Sequence, residues 1–238
     1  MVDIHAHILP GLDDGARCME EALEMASLAV TQGIRHMAAT SHGNYYPYMI
    51  EEYWSEFQKL QEALEEEKIP LKLYPGMEIF VDEAIWEALA QKQLLTLNNT
   101  NYLLVEFPFE ENPEIVISSL ARLKQSGYRC ILAHPERYLF MQRDEELAWY
   151  LADQGCALQI NAGSLLGSFG RKSEQLAKQM LDSGIISVIA TDTHDTDIRP
   201  PHMKVLVKQL QKNYPDSYVR LWMSENPSRI LKGLPVIQ

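Results

Sequence analysis

Short apolar or β-branched runs alternate with stretches of helical period along the whole chain. The runs VDIH, IRHMAAT, LKLYPGM, YLLVEF, CILAH, ALQIN and SVIATD predict seven strands. Between them, MEEALEMASLAV, EEYWSEFQKLQEALEEE, EIVISSLARLK, EELAWYLADQ and EQLAKQMLD repeat apolar residues at three- and four-residue spacing and predict helices. Gly33, Gly127, Gly155 and Gly184 each stand between the end of a helical stretch and the next strand, where a left-handed glycine stops a helix. One repeated unit with one repeated stop predicts an α/β fold with parallel strands. No linker, low-complexity segment or shift of composition divides the chain, so a single domain over residues 1–238 is expected.

In a parallel barrel the C-terminal strand ends share one face, where active sites are assembled. The strand ends carry His5, His42 just past the second strand, Glu78, Glu106, His134, Asn161 and Asp192, so seven polar groups are predicted to meet. His5 and His7 lie two apart on one strand and point the same way, as do Asp192 and His194 in TDTHD. An isolated HxH reads more readily as a partly exposed strand end than as a metal site. Here five of the seven histidines (His5, His7, His42, His134, His194) sit at or just after a strand end, and only His36 and His202 do not.

Glu78 and Glu106 close apolar runs. A carboxylate there is costly to desolvate without compensation, from an ion pair or from a cation shared with the imidazoles. Asp13 and Asp14 in GLDDG read as an Asx-turn or helix cap, or as ligands. Asp195 and Asp197 read as solvated loop carboxylates or as partners of the ligands. Five imidazoles and about four carboxylates exceed what one ion of coordination four to six uses, so two or three ions are implied, with Glu78 as a bridge. Nitrogen and oxygen ligands without thiolate suit Mn, Fe, Zn, Mg or Co and do not choose among them. Such a cluster lowers the pKa of a bound water and clamps the oxygens of a phosphate ester. Arg137 in AHPERY and Arg199 in DIRPPH lie in loops expected to overhang the same face, where their forks match phosphate oxygens; the alternative is a surface role. The aromatic run GNYYPYM after His42, with Tyr45, Tyr46 and Tyr48, reads as a lid for a flat substrate or as a packed rim loop, and Asn161 as a group that orients a ligand or water or caps a loop.

The net charge of −12 disfavours a non-specific nucleic-acid binder and suits a site that concentrates cations. The three cysteines, Cys18, Cys130 and Cys156, form no CxxC pair and none begins a C-x5-R phosphate loop, which removes the cysteine-nucleophile route to phosphate ester hydrolysis. No secretory h-region precedes VDIHAH and no run approaches the roughly 18 apolar residues of a membrane span, so a cytoplasmic protein is expected.

Together, DIHAHILPGLDDG, ATSH, GMEI, LVEFP, AHPERY, QINAGS and ATDTHDTDIRPPHM resemble the PHP (polymerase and histidinol phosphatase) superfamily. Within it the motifs are most similar to the manganese-dependent protein-tyrosine phosphatases found beside capsule and exopolysaccharide synthesis genes in Gram-positive bacteria. The resemblance runs from residue 2 to about residue 231, where ENPSRIL is similar to the family's closing helix. It implies a distorted TIM-like (β/α)7 barrel with a three-metal centre. His5, His7, Glu78 and Asp192 would hold one ion, Glu78 would bridge to a second held with Glu106 and His134, and Asp14, His42 and His194 would hold the third. Arg137 and Arg199 would match the family's phosphate-binding or acid-side arginines. The implied substrate is a phosphotyrosine protein, a membrane-associated bacterial tyrosine kinase that regulates polysaccharide chain length. The alternatives are a phosphatase of a small monoester, such as histidinol phosphate or a nucleotide, and a metal-binding barrel that regulates without catalysis.

Overall fold

The computed structural model describes residues 1–237. Eight strands form two all-parallel sheets. One contains β1 (Val2–Asp3), β2 (His36–Ala39) and β3 (Lys72–Pro75) in that order; the other contains β4 (Glu78–Phe80), β5 (Tyr102–Glu106), β6 (Arg129–Ala133), β7 (Ala157–Asn161) and β8 (Val188–Ala190). The crossovers carry helices α1 (Met19–Thr31), α2 (Ile50–Glu66), α3 (Ile85–Ala90), α4 (Pro113–Gln125), α5 (Leu139–Arg143), α6 (Glu146–Asp153), α7 (Ala162–Leu165) and α8 (Gly170–Asp182), and α9 (Lys204–Asn213), α10 (Asp216–Arg220) and α11 (Asn226–Ile230) follow the last strand. No helix among the described residues is long and apolar enough to cross a membrane.

All five predicted helices are present, and the four glycines end four of them as expected. Gly33 has φ +92°, its N–H reaches Val30 O at 3.0 Å and the next N–H, of Ile34, reaches Ala29 O at 3.0 Å. Those two bonds satisfy carbonyls that the end of α1 leaves open, and only a residue without Cβ adopts that φ cheaply. Gly127, Gly155 and Gly184 repeat the geometry after α4, α6 and α8.

The run LKLYPGM, expected as one strand, is broken after Pro75, and the chain resumes as β4 at Glu78. Proline has no N–H to donate, and the Gly76 N–H leaves the ladder for the hydroxyl of Tyr53, 2.9 Å away. That fully buried tyrosine, on α2, donates in turn to Ala39 O at 2.8 Å. The passage Lys72–Phe80 therefore pairs with β2 in its first half and with β5 in its second, carrying the chain from one sheet to the other. Hydrogen bonds also join the remaining edges. The Asp192 N–H donates to His5 O and the His7 N–H to Thr193 O, both at 2.9 Å, while the Gly43 N–H donates to Glu78 O at 2.8 Å.

Alternation along the strands separates two faces. Leu104, Ile131, Ala133, Val188 and Ala190 pack with Val2, Ile4 and Ala38 in an inner cluster; Leu103, Val105, Leu132, Leu158, Ile160 and Ile189 pack outward in the larger core beneath the helices. On the inner side the apolar residues give way to Glu106, Gln159 and Asn161 toward the C-terminal strand ends. At the opposite end the C-terminal segment closes the structure, with Tyr102 donating to Leu234 O at 3.0 Å and Arg129 to Gly233 O at 3.3 Å.

Candidate metal centre

His5 and His7 are fully buried, and their outer ring nitrogens have fixed partners. His5 Nδ1 lies 2.8 Å from Gln159 Oε1, and His7 Nδ1 lies 2.8 Å from Asp13 Oδ2. Both partners accept, so both Nδ1 atoms carry hydrogen and both Nε2 atoms turn their lone pairs inward. Those two Nε2 atoms are 3.3 Å apart, each is 3.1 Å from Glu78 Oε2, and they are 3.2 and 3.4 Å from Asp192 Oδ1. Four electron-rich atoms facing one point in a buried site are stable only around positive charge, a proton or a metal ion. The donor set fits a divalent cation that takes nitrogen and oxygen ligands.

Two further groups adjoin the first. His7, Asp14, His42 and His194 offer donor atoms within 4.8 Å of one another, and so do His42, Glu78 and Glu106. His42 Nδ1 lies 2.9 Å from Glu106 Oε1, and His134 Nε2 lies 2.9 Å from Glu78 Oε1 and 3.8 Å from Glu106 Oε2. All nine expected ligands thus meet in one place. The geometry differs from the expected division at two points: His42 stands closer to the Glu78–Glu106 pair than a purely third-ion ligand would, and His7 reaches the Asp14–His42–His194 group as well as its own.

The two neighbouring aspartates divide their work. Asp13 faces away from the cluster, accepting from His7 Nδ1, from the His42 N–H at 3.0 Å and from the Gly15 N–H at 3.0 Å, the last an Asx-turn. Asp14 Oδ1 faces inward, 3.4 Å from His194 Nε2 and 3.6 Å from His42 Nε2. His194 is oriented by its own turn, Nδ1 donating to Asp192 O at 3.0 Å. His134 and Asp192 hold left-handed φ values of +38° and +53°, a conformation that costs a non-glycine residue on the order of 1–3 kcal/mol and concentrates at functional sites.

The electrostatics follow from the crowding. Burial alone would lower the His5 pKa, but Glu78 and Asp192 outweigh it and push it up to about 9. His7 is likewise raised against burial by Asp13, and His42 by Glu106. Burial would raise Glu78 and Asp192, yet the imidazoles, with Arg199 beside Asp192, hold both well below the usual carboxylate range. His194, buried next to His7, is lowered.

Asn161 and Asp195, expected as orienting or partner groups, support the cluster, together with Gln159, Glu136 and Asp3, which sequence patterns did not single out. Gln159 Nε2 donates to Asn161 Oδ1 at 2.9 Å and Asn161 Nδ2 donates to Asp192 Oδ2 at 2.6 Å, so a directed chain of hydrogen bonds links His5 to Asp192. Glu136 is fully buried and accepts from the Asn161 N–H at 3.0 Å and from Ser164 at 2.6 Å, with burial raising its pKa. Asp3 accepts from Thr191 and from the His5 N–H, and burial pushes it up to about 6. Asp195 accepts from the Asp197 and Arg199 N–H groups and shapes the loop that carries Arg199.

Arg199 and Arg137 both reach Asp192 Oδ2, at 2.6 and 3.3 Å. Phe169 is the residue that gathers them: its ring lies 4.3 Å from the Arg137 guanidinium and 5.8 Å from that of Arg199, and the Phe109 ring lies 4.8 Å from Arg137. Gly163 makes room, since a Cβ there would come within 2.8 Å of the Phe169 ring. Above this floor opens a cavity of about 480 Å³, walled by Tyr45, Tyr46, Phe80, Phe107, Pro108 and Phe109. Tyr46 stacks on His42 at 5.6 Å, which places part of the GNYYPYM run at the mouth.

Residues 1–232 match the family model described as capsular polysaccharide synthesis, CpsB/CapC. The chain belongs to the CpsB/CapC family. It is 35% identical to the tyrosine-protein phosphatase YwqE of Bacillus subtilis over 240 residues, covering all of this chain and 94% of that protein. It is 29% identical to the tyrosine-protein phosphatase CpsB of Streptococcus pneumoniae, covering 97% of this chain and 98% of that protein. A solved structure from work on YwqE and CpsB, described there as metal-dependent tyrosine phosphatases, superposes with a TM-score of 0.93 at 34% identity and covers all of this chain and 96% of its own. The phosphotriesterase homology protein of Escherichia coli, at 12% identity and TM-score 0.65 over 97% of this chain and 98% of its own, shares the fold. The family resemblance carried by the strand-end motifs is thereby borne out.

Proposed function

We propose that this protein is a metal-dependent phosphotyrosine phosphatase of a capsule or exopolysaccharide system. The observation that carries the reading is one cavity with three layers: a floor of nine ligand-type side chains, two arginines at its edge and an aromatic wall above. The floor and arginines fit a phosphate, and the wall fits a phenyl ring. Family membership and the YwqE and CpsB relatives support the same assignment.

Two or three divalent cations, with manganese proposed, would supply a water of lowered pKa and positive charge for the phosphate oxygens. His5, His7, Glu78 and Asp192 would hold one; Glu78 and Glu106, with His134 and His42 at either side, a second; Asp14, His42 and His194 a third. Arg137 and Arg199 fork onto the phosphate, presented together by Phe169 and Asp192. Tyr46 and Phe109 flank the phenyl ring and keep water from that side. The tyrosine oxygen, of pKa about 10, leaves as a phenolate and takes up a proton from solvent at neutral pH. Cysteine has no part: Cys130 and Cys156 are buried at the N-terminal strand ends, away from the centre, with thiol pKa values raised by burial.

The hydrogen-bonded sheet edges support reading the fold as a distorted (β/α)7 barrel, with Lys72–Phe80 as one interrupted strand. The proposed substrate is a membrane-associated bacterial tyrosine kinase, met from the cytoplasmic side. A small-monoester phosphatase needs polar side chains that read the rest of its substrate, and the outer wall here is aromatic. Comparing kcat/KM for a phosphotyrosine peptide with that for histidinol phosphate tests the choice; turnover favouring histidinol phosphate sinks it.

A further inference from the structure

Beside the metal-centre cavity lies a second depression of about 380 Å³, and the two share Phe109 and Arg137 in their walls. The two therefore adjoin across these side chains, so a substrate whose phosphate rests against Arg137 has the second depression next to it. The floor of that depression is apolar, formed by Leu139, Phe169 and the 41% exposed ring of Phe109. Every charged side chain in its lining is cationic: Arg137, Arg171 and Lys172.

In a chain of net charge −12 such a patch is out of character. Arg171 and Lys172 are exposed and enter no ion pair among the described residues; the acidic neighbour Glu174 is taken up by Lys178 instead. Both stand in the first turn of α8, which holds no carboxylate and no side-chain cap, so the helix end adds charge of the same sign. An apolar floor with an uncompensated cationic rim, next to the proposed phosphate site, is complementary to an extended, negatively charged stretch of chain.

We propose that this depression is a subsite for the segment of substrate polypeptide flanking the phosphotyrosine, and that Arg171 and Lys172 select an anionic side chain there. The proposal rests on the phosphotyrosine-phosphatase reading.

Steady-state kinetics of the metal-loaded enzyme test this with phosphotyrosine peptides flanked on either side by glutamate, glutamine or lysine, and with p-nitrophenyl phosphate. Two exposed charge contacts predict that a glutamate flank is preferred to a lysine flank about tenfold in kcat/KM, mainly through KM, with the gap closing in about 0.5 M salt. The Arg171→Glu/Lys172→Glu double variant reverses the order, while p-nitrophenyl phosphate turnover, which reports folding and metal loading, stays at the wild-type value. Equal turnover of all peptides by the wild type overturns the subsite while leaving the phosphotyrosine reading intact, as does a variant that keeps the wild-type order. Turnover of p-nitrophenyl phosphate with no hydrolysis of any peptide overturns both.

Discussion

Replacing Gln159 with leucine isolates the supporting network from the ligands themselves. The amide is the hinge of a chain running from His5 Nδ1 to Gln159 Oε1 at 2.8 Å, from Gln159 Nε2 to Asn161 Oδ1 at 2.9 Å and from Asn161 Nδ2 to Asp192 Oδ2 at 2.6 Å. Leucine leaves the His5 Nδ1–H without an acceptor and Asn161 Oδ1 without a donor, both fully buried. An orphaned buried group costs about 1–3 kcal/mol, and the imidazole escapes that cost by moving its proton to Nε2, the atom that faces Glu78 and Asp192. Ligand and metal then compete for one nitrogen, which predicts a loss of about 10- to 100-fold in metal affinity, or about 1.4–2.7 kcal/mol. Gln159→Glu separates the two halves: it keeps an acceptor for His5 but opposes Asn161 Oδ1 with another oxygen, so it frees Asp192 and spares His5. Manganese dissociation constants, measured by competition with a chelating dye, give the answer, and the melting temperature of each metal-free variant confirms that it is folded. A Gln159→Leu protein that folds and binds manganese as tightly as the wild type refutes the orienting role.

Phe169→Leu removes the ring between the two arginines; with cation–π contacts worth about 0.5–2 kcal/mol, kcat/KM for a phosphotyrosine peptide falls about three- to thirtyfold while metal content, read by elemental analysis, is unchanged. Metal uptake at pH 7 releases protons. The His5 pKa is raised to about 9, so the proton-bound form prevails below that value, and the affinity for manganese rises with pH toward about 9 and then levels. Calorimetry in two buffers of different ionisation enthalpy counts those protons, and a count near zero contradicts the convergence of imidazoles and carboxylates. Alkylation of the native protein labels the exposed Cys18 alone and leaves activity intact, because burial pushes the Cys156 thiol up to about 12 and raises Cys130 as well; mass spectrometry showing label on either buried cysteine argues against that packing.

Five of the proposed ligands, His5, Glu78, Glu106, His134 and Asp192, were legible because each ends an apolar run, and in parallel strands an end is also an address; Asp14 in GLDDG followed only from the family resemblance. Glu78 and Asp192 could be read that way without any contact being known. Gln159 could not: in ALQIN it looks like the solvent side of an alternating strand, and only its register opposite Val188 turns it inward beneath His5. Phe169 lies in a short loop more than thirty residues from Arg137, and its position depends on how α7 and α8 fold back over the strand ends. The break in LKLYPGM had its signal in Pro75–Gly76, but the partner that makes it favourable, the Tyr53 hydroxyl, comes from the preceding helix. Helix α9 has helical spacing in KVLVKQLQKN, but it follows a proline-rich loop rather than a strand, so the strand–helix alternation does not point to it.

If the strand-end cluster is a working metal centre for phosphotyrosine hydrolysis, activity and bound metal rise and fall together. The most direct test strips the protein with chelator, titrates manganese back, and reads bound ions per chain and phosphotyrosine-peptide hydrolysis on the same samples. A working centre shows no activity after stripping and full recovery as two or three ions bind. Hydrolysis that survives chelation, or protein that binds its ions and hydrolyses nothing, contradicts it.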